Sequence, residues 1–288
     1  MIANDNKIAA KPVTNVVESW SGKDKGDENF PVASLLIARR LRPHVHAYYD
    51  YARNADDIAD STTLPANEKL ARLDAMENIL TSQQKSGSPS AEKLRESLAQ
   101  SGVSSLHATE LLIAFRQDVT KNRYENWSEL LDYCRYSAAP VGRYVLDLHG
   151  ESHSTWEPSD ALCASLQVLN HLQDCAKDLR SLDRCYVPQD WLHAQNLTTD
   201  DIARPATTPS LRVVFNQMLE ATDALNKVAR DLPKQVKSRR LRMECAIICY
   251  LARRLTTLLK KGDPLSSRIK LNKFDVLKAA FYSLSYVA

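Results

Sequence analysis

The 288-residue chain is 44% apolar, enough for two average domains or one large helical one. Its 7 glycines leave little from which to build sheet turns or glycine-rich phosphate loops, so an all-α fold is expected. A formal charge of +3, from 38 basic and 35 acidic residues spread along the chain, excludes the concentrated basic footprint of a nucleic-acid binder.

In chain order, residues 1–28 are polar and rich in Lys and Asp and are expected to stay mobile, with a single folded domain spanning 29–288. A first helix is predicted from Pro31 toward Leu41, because proline suits a helix's first turn. Pro43 should begin a second, which carries Val45, Tyr48, Tyr49, Ala52 and Ile58. Helical patterns follow at about 67–82, 91–101, 105–120, 127–149 and 158–180, with loops at 86–90 and 150–158. The stretch 183–210, with Pro188, Pro205 and Pro209, reads as a longer irregular connection in which Thr198 or Thr199 caps a short helix. Helices near 209–231, 235–261 and 272–286 complete the pattern.

The segment Phe274 to Ala288 bears a helix-period apolar stripe that is expected to pack on the core, the other reading being a surface that touches lipid. No run approaches the roughly 18 apolar residues of a spanning helix, and no apolar run follows the first lysines as in a signal peptide. The six cysteines show no CxxC spacing and read as reduced thiols. A cytoplasmic protein is expected, peripheral at most to the inner face of a membrane.

Two acidic strings carry the chemistry. In RNADDIAD, Tyr49, Arg53, Asp56 and Asp60 fall at i, i+4, i+7 and i+11, one stripe of a helix. Carboxylates one turn apart repel each other and call for compensation, which a divalent cation supplies. In NHLQDCAKD, Asn170, Asp174 and Asp178 share a second face at i, i+4 and i+8. Mg²⁺ prefers such oxygen ligands and is held by a few carboxylates together with substrate phosphates, so two such faces point to a bridged diphosphate. Either string alone could be a solvated helix face. Both together, flanked by Ala52, Ala55 and Ala59 and by Leu166, Val168, Leu169 and Leu172, indicate buried carboxylates that need partners. His44 and His46, two residues apart, do not share a helix face and make no zinc site.

From about residue 28 onward the chain resembles the squalene/phytoene synthase family. DDIAD at 56–60, YCRYSAAPVGR at 133–143 and NHLQDCAKDLRSLDRCYVP at 170–188 match its motifs in order. ENFPVAS at 28–34, SAAPVGR, NHLQD and the DWL at 190–192 are similar to the bacterial branch that forms hydroxysqualene in hopanoid biosynthesis. The wider family has a Ser-rich stretch in place of ENFPVAS and an Arg in place of Gln173.

The resemblance implies a single-domain isoprenoid synthase fold with a central cavity. It also implies ionisation of presqualene diphosphate, rearrangement of the resulting cation and capture by water. Asp56, Asp60, Asn170, Asp174 and Asp178 then match Mg²⁺ ligands, Arg53 and Arg268 match diphosphate contacts, and Tyr49 and Tyr133 match tyrosines near the reacting carbons. His171 is a candidate for positioning water, and the small residues from Ser137 to Gly142 leave room for a prenyl chain. Coupling to other squalene-pathway enzymes, and no nucleic-acid partner, complete the expectation. The enzymatic alternative is condensation of two farnesyl diphosphates to presqualene diphosphate or squalene. The other is a non-catalytic assembly relative, which should have lost acidic ligands; all five positions are present.

Overall fold

The structure, a computed structural model, describes residues 17–18, 36–82 and 87–286. ENFPVAS and the start of the helix predicted from Pro31 lie outside these residues. The remainder of that predicted helix, 36–41, forms turns, and α1 (Arg42–Ala59) starts with Pro43 in its first turn. From the stretch expected to stay mobile, Val17 and Glu18 are described. The Val17 amide donates to the Gly87 carbonyl (3.0 Å), and Glu18 accepts from the Ser88 hydroxyl (2.8 Å) and the Ser90 amide (2.6 Å).

Four helices, α1, α2 (Ala66–Thr81), α3 (Pro89–Ser101) and α4 (Leu106–Thr120), pack on one another as the first half of the fold. The Ser88 hydroxyl caps α3 by accepting from the Ala91 amide, and Gly102 ends it at φ 73°, a conformation that favours glycine. The single helix predicted over 127–149 is two: α5 (Trp127–Ser137) and α6 (Ala139–Leu148). Pro140 has no N–H to give and its ring collides with the carbonyl four residues back, so the backbone breaks at Ala138 (φ −130°, ψ −46°) and restarts with proline in the first turn.

At the centre stands α7 (Trp156–Leu182), 27 residues long. Around it pack α5, α6, α9 (Pro209–Ala229) and α11 (Arg239–Lys261). The connection read as irregular holds α8 (Gln189–Ala194) and a 3-10 turn at Thr199–Ala203, which Thr198 caps while its amide donates to Asp201 (2.9 Å). A four-residue α10 (Leu232–Gln235) precedes α11, so the helix predicted from 235 begins at Arg239. Among the described residues there is no strand, only one bridge between Arg123 and Cys185.

The last helix, α12 (Lys273–Leu284), packs on α11 in an inverted sense. It buries Asp275, Ala279 and Ser283 and exposes Phe274, Leu277, Phe281 and Leu284. The expectation that its apolar stripe packs on the core is therefore corrected. Asp275 anchors it from inside, capping through the Asn272 amide (3.1 Å) and accepting from the Arg254 guanidinium (2.7 Å).

Candidate active site

Helices α1 and α7 scarcely touch. Two cavities fill the space that both helices line, one polar and one apolar.

The polar cleft encloses about 450 Å³. Its lining includes Arg53, Asp57 and Asp60 from α1 and Asp174, Lys177 and Asp178 from α7, so the two acidic faces meet across it. Each face is partly neutralised from within the chain. Arg53 spans Asp57 (2.7 Å) and Asp56 (3.1 Å), which keeps its guanidinium nearly buried. Arg184 reaches Asp60 (2.5 Å) and the Ala59 carbonyl (3.2 Å) at the end of α1, where Lys69 also donates (2.9 Å). Cations at a helix C-terminus are favoured by the exposed carbonyl dipoles. Arg268, on the loop before α12, pairs with Asp174 at 3.2 Å.

These cations do not hold every carboxyl at its ordinary value. Desolvation, followed by the charge of Asp60, pushes the Asp56 carboxyl upward although its side chain stays one-third exposed, and the Arg53 guanidinium offsets only part of this. Burial and then Asp174 push Asp178 up to about 7. Beneath the cleft, burial raises Asp118 to about 6, although Tyr133 (3.0 Å) and Tyr186 (3.3 Å) donate to it. Desolvation is the larger cause of these upward shifts, and the neighbouring carboxylates add to it. Among the described residues, no group of three His, Cys, Asp or Glu side chains stands close enough together to hold a metal ion by itself. Carboxylate oxygens are donors that a hard divalent cation accepts, and the rest of its shell would have to come from water and an anionic ligand.

The apolar cavity, about 390 Å³, lies farther along the same two helices. Tyr48, Tyr49 and Ala52 wall it from α1, and Leu162, Leu166 and Asn170 from α7. Val141, Gly142 and Val145 of α6 and Leu241, Cys245 and Ile248 of α11 close it. Tyr48 is fixed by stacking on Tyr144 (4.0 Å between centroids) and by donating to the His107 carbonyl (3.0 Å). Gly142 does more than leave space. A Cβ there would lie 2.4 Å from the Ser159 hydroxyl oxygen and 2.7 Å from the Cys163 sulfur, so glycine lets α6 approach α7 closely.

Of the residues singled out from sequence, Arg53, Asp60, Asp174 and Asp178 line the polar cleft, Asp56 adjoins it through Arg53, and Arg268 stands at its edge on Asp174. Asn170 and Tyr49 line the apolar cavity. Tyr133 is buried, lines neither cavity and is held by Asp118. His171 also lines neither; its ring stacks on Tyr186 at 3.5 Å, and burial lowers it to about 3, which keeps it neutral. Gln173 donates to the Ile269 carbonyl (2.6 Å), tying the Arg268 loop to α7. Arg184, Lys177, Lys69 and Asp118 were missed. Arg184 lies within a quoted motif, but its partner Asp60 is 124 residues away, a pairing that no local pattern reveals.

The helical fold thus sets an acidic cleft beside an apolar cavity along α1 and α7, room for a ligand with one polar end and one apolar end. Residues 23–275 match the sequence model of squalene/phytoene synthase, and the chain belongs to that family. It is 44% identical over 273 residues to a hydroxysqualene synthase of Rhodopseudomonas palustris, covering 95% of this chain and 93% of that one. To a hydroxysqualene synthase of Zymomonas mobilis it is 45% identical over 276 residues, with the same coverage. Among solved structures, squalene synthase HpnC from Alicyclobacillus acidocaldarius superposes with a TM-score of 0.71 at 31% identity, covering 80% of this chain and 87% of that one. A dehydrosqualene synthase at 18% identity shares the fold, with a TM-score of 0.78 over 91% of this chain and 93% of that one. The expected all-α isoprenoid synthase fold is borne out.

Proposed function

We propose that the chain converts presqualene diphosphate and water to hydroxysqualene and diphosphate, with Mg²⁺, in hopanoid biosynthesis. The observation that carries this reading is the succession of the two cavities along α7, where Asn170 lines the apolar one and Asp174, one turn on, lines the polar one. Similarity to the hydroxysqualene synthases selects this reaction within the family.

In this reading the diphosphate sits in the acidic cleft, where Asp60, Asp174 and Asp178, with Asp56 beside them and Asn170 one turn away on the apolar side, would hold Mg²⁺ against it. The metal supplies Lewis-acid assistance to the departing diphosphate. Arg53 and Arg268 exchange their carboxylate partners for phosphate oxygens, a switch that guanidinium geometry permits without loss of hydrogen bonds. The apolar walls hold the hydrocarbon and keep bulk water from the cation, so that rearrangement precedes capture. Tyr49, on the cavity wall, offers a ring face to the positive charge. One water then adds its oxygen to the rearranged cation, and its proton leaves to give the alcohol.

Purified protein incubated with presqualene diphosphate and Mg²⁺ should release hydroxysqualene, identified by mass spectrometry, without any nicotinamide. If well-folded protein leaves presqualene diphosphate intact and instead consumes farnesyl diphosphate, the condensation reaction takes its place.

A further inference from the structure

Helix α12 is built the wrong way round for a surface helix facing water. Its buried stripe is Asp275 (2% exposed), Ala279 (0%) and Ser283 (0%), at i, i+4 and i+8. Its outward stripe is Phe274 (74% exposed), Leu277 (53%), Phe281 (66%) and Leu284 (50%), at i, i+3, i+7 and i+10. Ten large apolar side chains are exposed among the described residues, and five of them, counting Val276, lie on this one 12-residue helix. Such concentration marks a surface that meets something apolar.

Charge identifies what it meets. Residues 253–278 hold eight Lys or Arg against two acids, Asp263 and Asp275, and of the eight, Arg254, Lys260 and Arg268 pair with Asp275, Asp223 and Asp174. Both acids are satisfied internally, Asp263 by Thr207 (2.9 Å from its amide) and Leu265 (3.0 Å), and Asp275 by Arg254 (2.7 Å). Lys273 and Lys278 stand exposed on the flanks of the apolar stripe, and Lys270 stands exposed just before it. An apolar stripe edged by lysines matches the boundary between acyl chains and anionic headgroups. A second copy fits less well, since apposing two such faces sets the same lysines against each other.

We propose that α12 is a lipid-docking helix that lies flat in the surface of an anionic bilayer, with Phe274, Leu277, Phe281 and Leu284 among the acyl chains. This goes beyond the catalytic reading and does not depend on it. The docking also places the cavity usefully: α12 packs on α11 through Tyr282 and Tyr250 (5.4 Å), and α11 walls the apolar cavity with Leu241, Cys245 and Ile248. A helix is about 10 Å across, so one helix separates bilayer from cavity.

The test is flotation of the full chain with vesicles of phosphatidylcholine alone or with one third phosphatidylglycerol. Protein should float with the anionic vesicles and release at high salt. The Phe274→Ser/Phe281→Ser and Lys273→Glu/Lys278→Glu variants should each lower binding by about tenfold or more. Because these side chains are exposed, melting temperature and turnover of detergent-dispersed substrate should stay at wild-type levels. Independently, Phe281→Trp should shift its emission to the blue on adding anionic vesicles. The proposal is overturned if wild-type protein stays unbound, if the tryptophan emission does not move, or if light scattering shows a dimer that Phe274→Ser/Phe281→Ser dissolves.

Discussion

Replacing Gly142 by alanine tests whether the close approach of α6 to α7 shapes the apolar cavity. The new methyl would sit 2.4 Å from the Ser159 oxygen and 2.7 Å from the Cys163 sulfur, whereas ordinary contact begins near 3.4 Å. Both atoms are on short side chains of one helix, so relief requires both to turn or α6 to retreat by roughly 1 Å. Overpacking of this kind costs about 1–3 kcal/mol, which for a chain of this size lowers the melting temperature by about 2–5 °C. Since Gly142, Ser159 and Cys163 all line the cavity, the KM for a prenyl substrate should rise in parallel. Calorimetry and steady-state kinetics on Gly142→Ala, and on Gly142→Ala combined with Cys163→Ala, supply the measurement. The second change removes one of the two collisions and should restore part of the stability. A melting temperature within a degree of wild type, with KM unchanged, would refute the reasoning.

Arg184→Ala should destabilise by about 3–5 kcal/mol, because it strips a nearly buried guanidinium from Asp60 and the Ala59 carbonyl; denaturant titration reads this, and a loss under 1 kcal/mol contradicts it. Arg268→Ala, at a half-exposed pair, should change stability by under about 0.5 kcal/mol yet raise KM by about tenfold, and an unchanged KM rejects its contact with diphosphate. Desolvation and neighbouring carboxylates raise Asp56 and, to about 7, Asp178 above the ordinary carboxylate value, so the folded protein binds more protons than the unfolded chain between about pH 4 and 7. Metal-free stability should therefore fall as pH rises through that window. Mg²⁺, which competes with those protons, should raise the melting temperature more at pH 8 than at pH 6, and the reverse order in a thermal-shift assay would contradict the site.

What was legible in the sequence was what repeats locally. Asp56 and Asp60, and Asp174 and Asp178, stand one turn apart and needed only helical periodicity to be placed on common faces. Pro43 marked the start of α1, and Thr198 was a named cap for the short helical turn at Thr199–Ala203. The break at Ala138 was not read, because the apolar periodicity runs on through Pro140 and the ring's collision is with a carbonyl rather than with any pattern. The pairing of Arg184 with Asp60 depends on the loop after α7 folding back to the end of α1. Tyr133 and His171 were placed on the right helices, but their direction, toward Asp118 and Tyr186, is set by which neighbours pack there. For α12 the periodicity was correct and its sign was not, since an apolar stripe is blind to which side the protein occupies.

The single unbroken helix α7 has a consequence for how substrate size can change. Along it, Ser159, Leu162, Leu166 and Asn170 wall the cavity and Asp174 and Asp178 enter the cleft, all on one rigid rod. At about 1.5 Å per residue, the 15 positions from Ser159 to Asp174 span roughly 22 Å. The helix therefore works as a graduated scale with its zero at the carboxylates. Bulk added near Ser159 shortens the tail the cavity accepts and leaves the anionic end untouched, so chain length and chemistry can be adjusted separately.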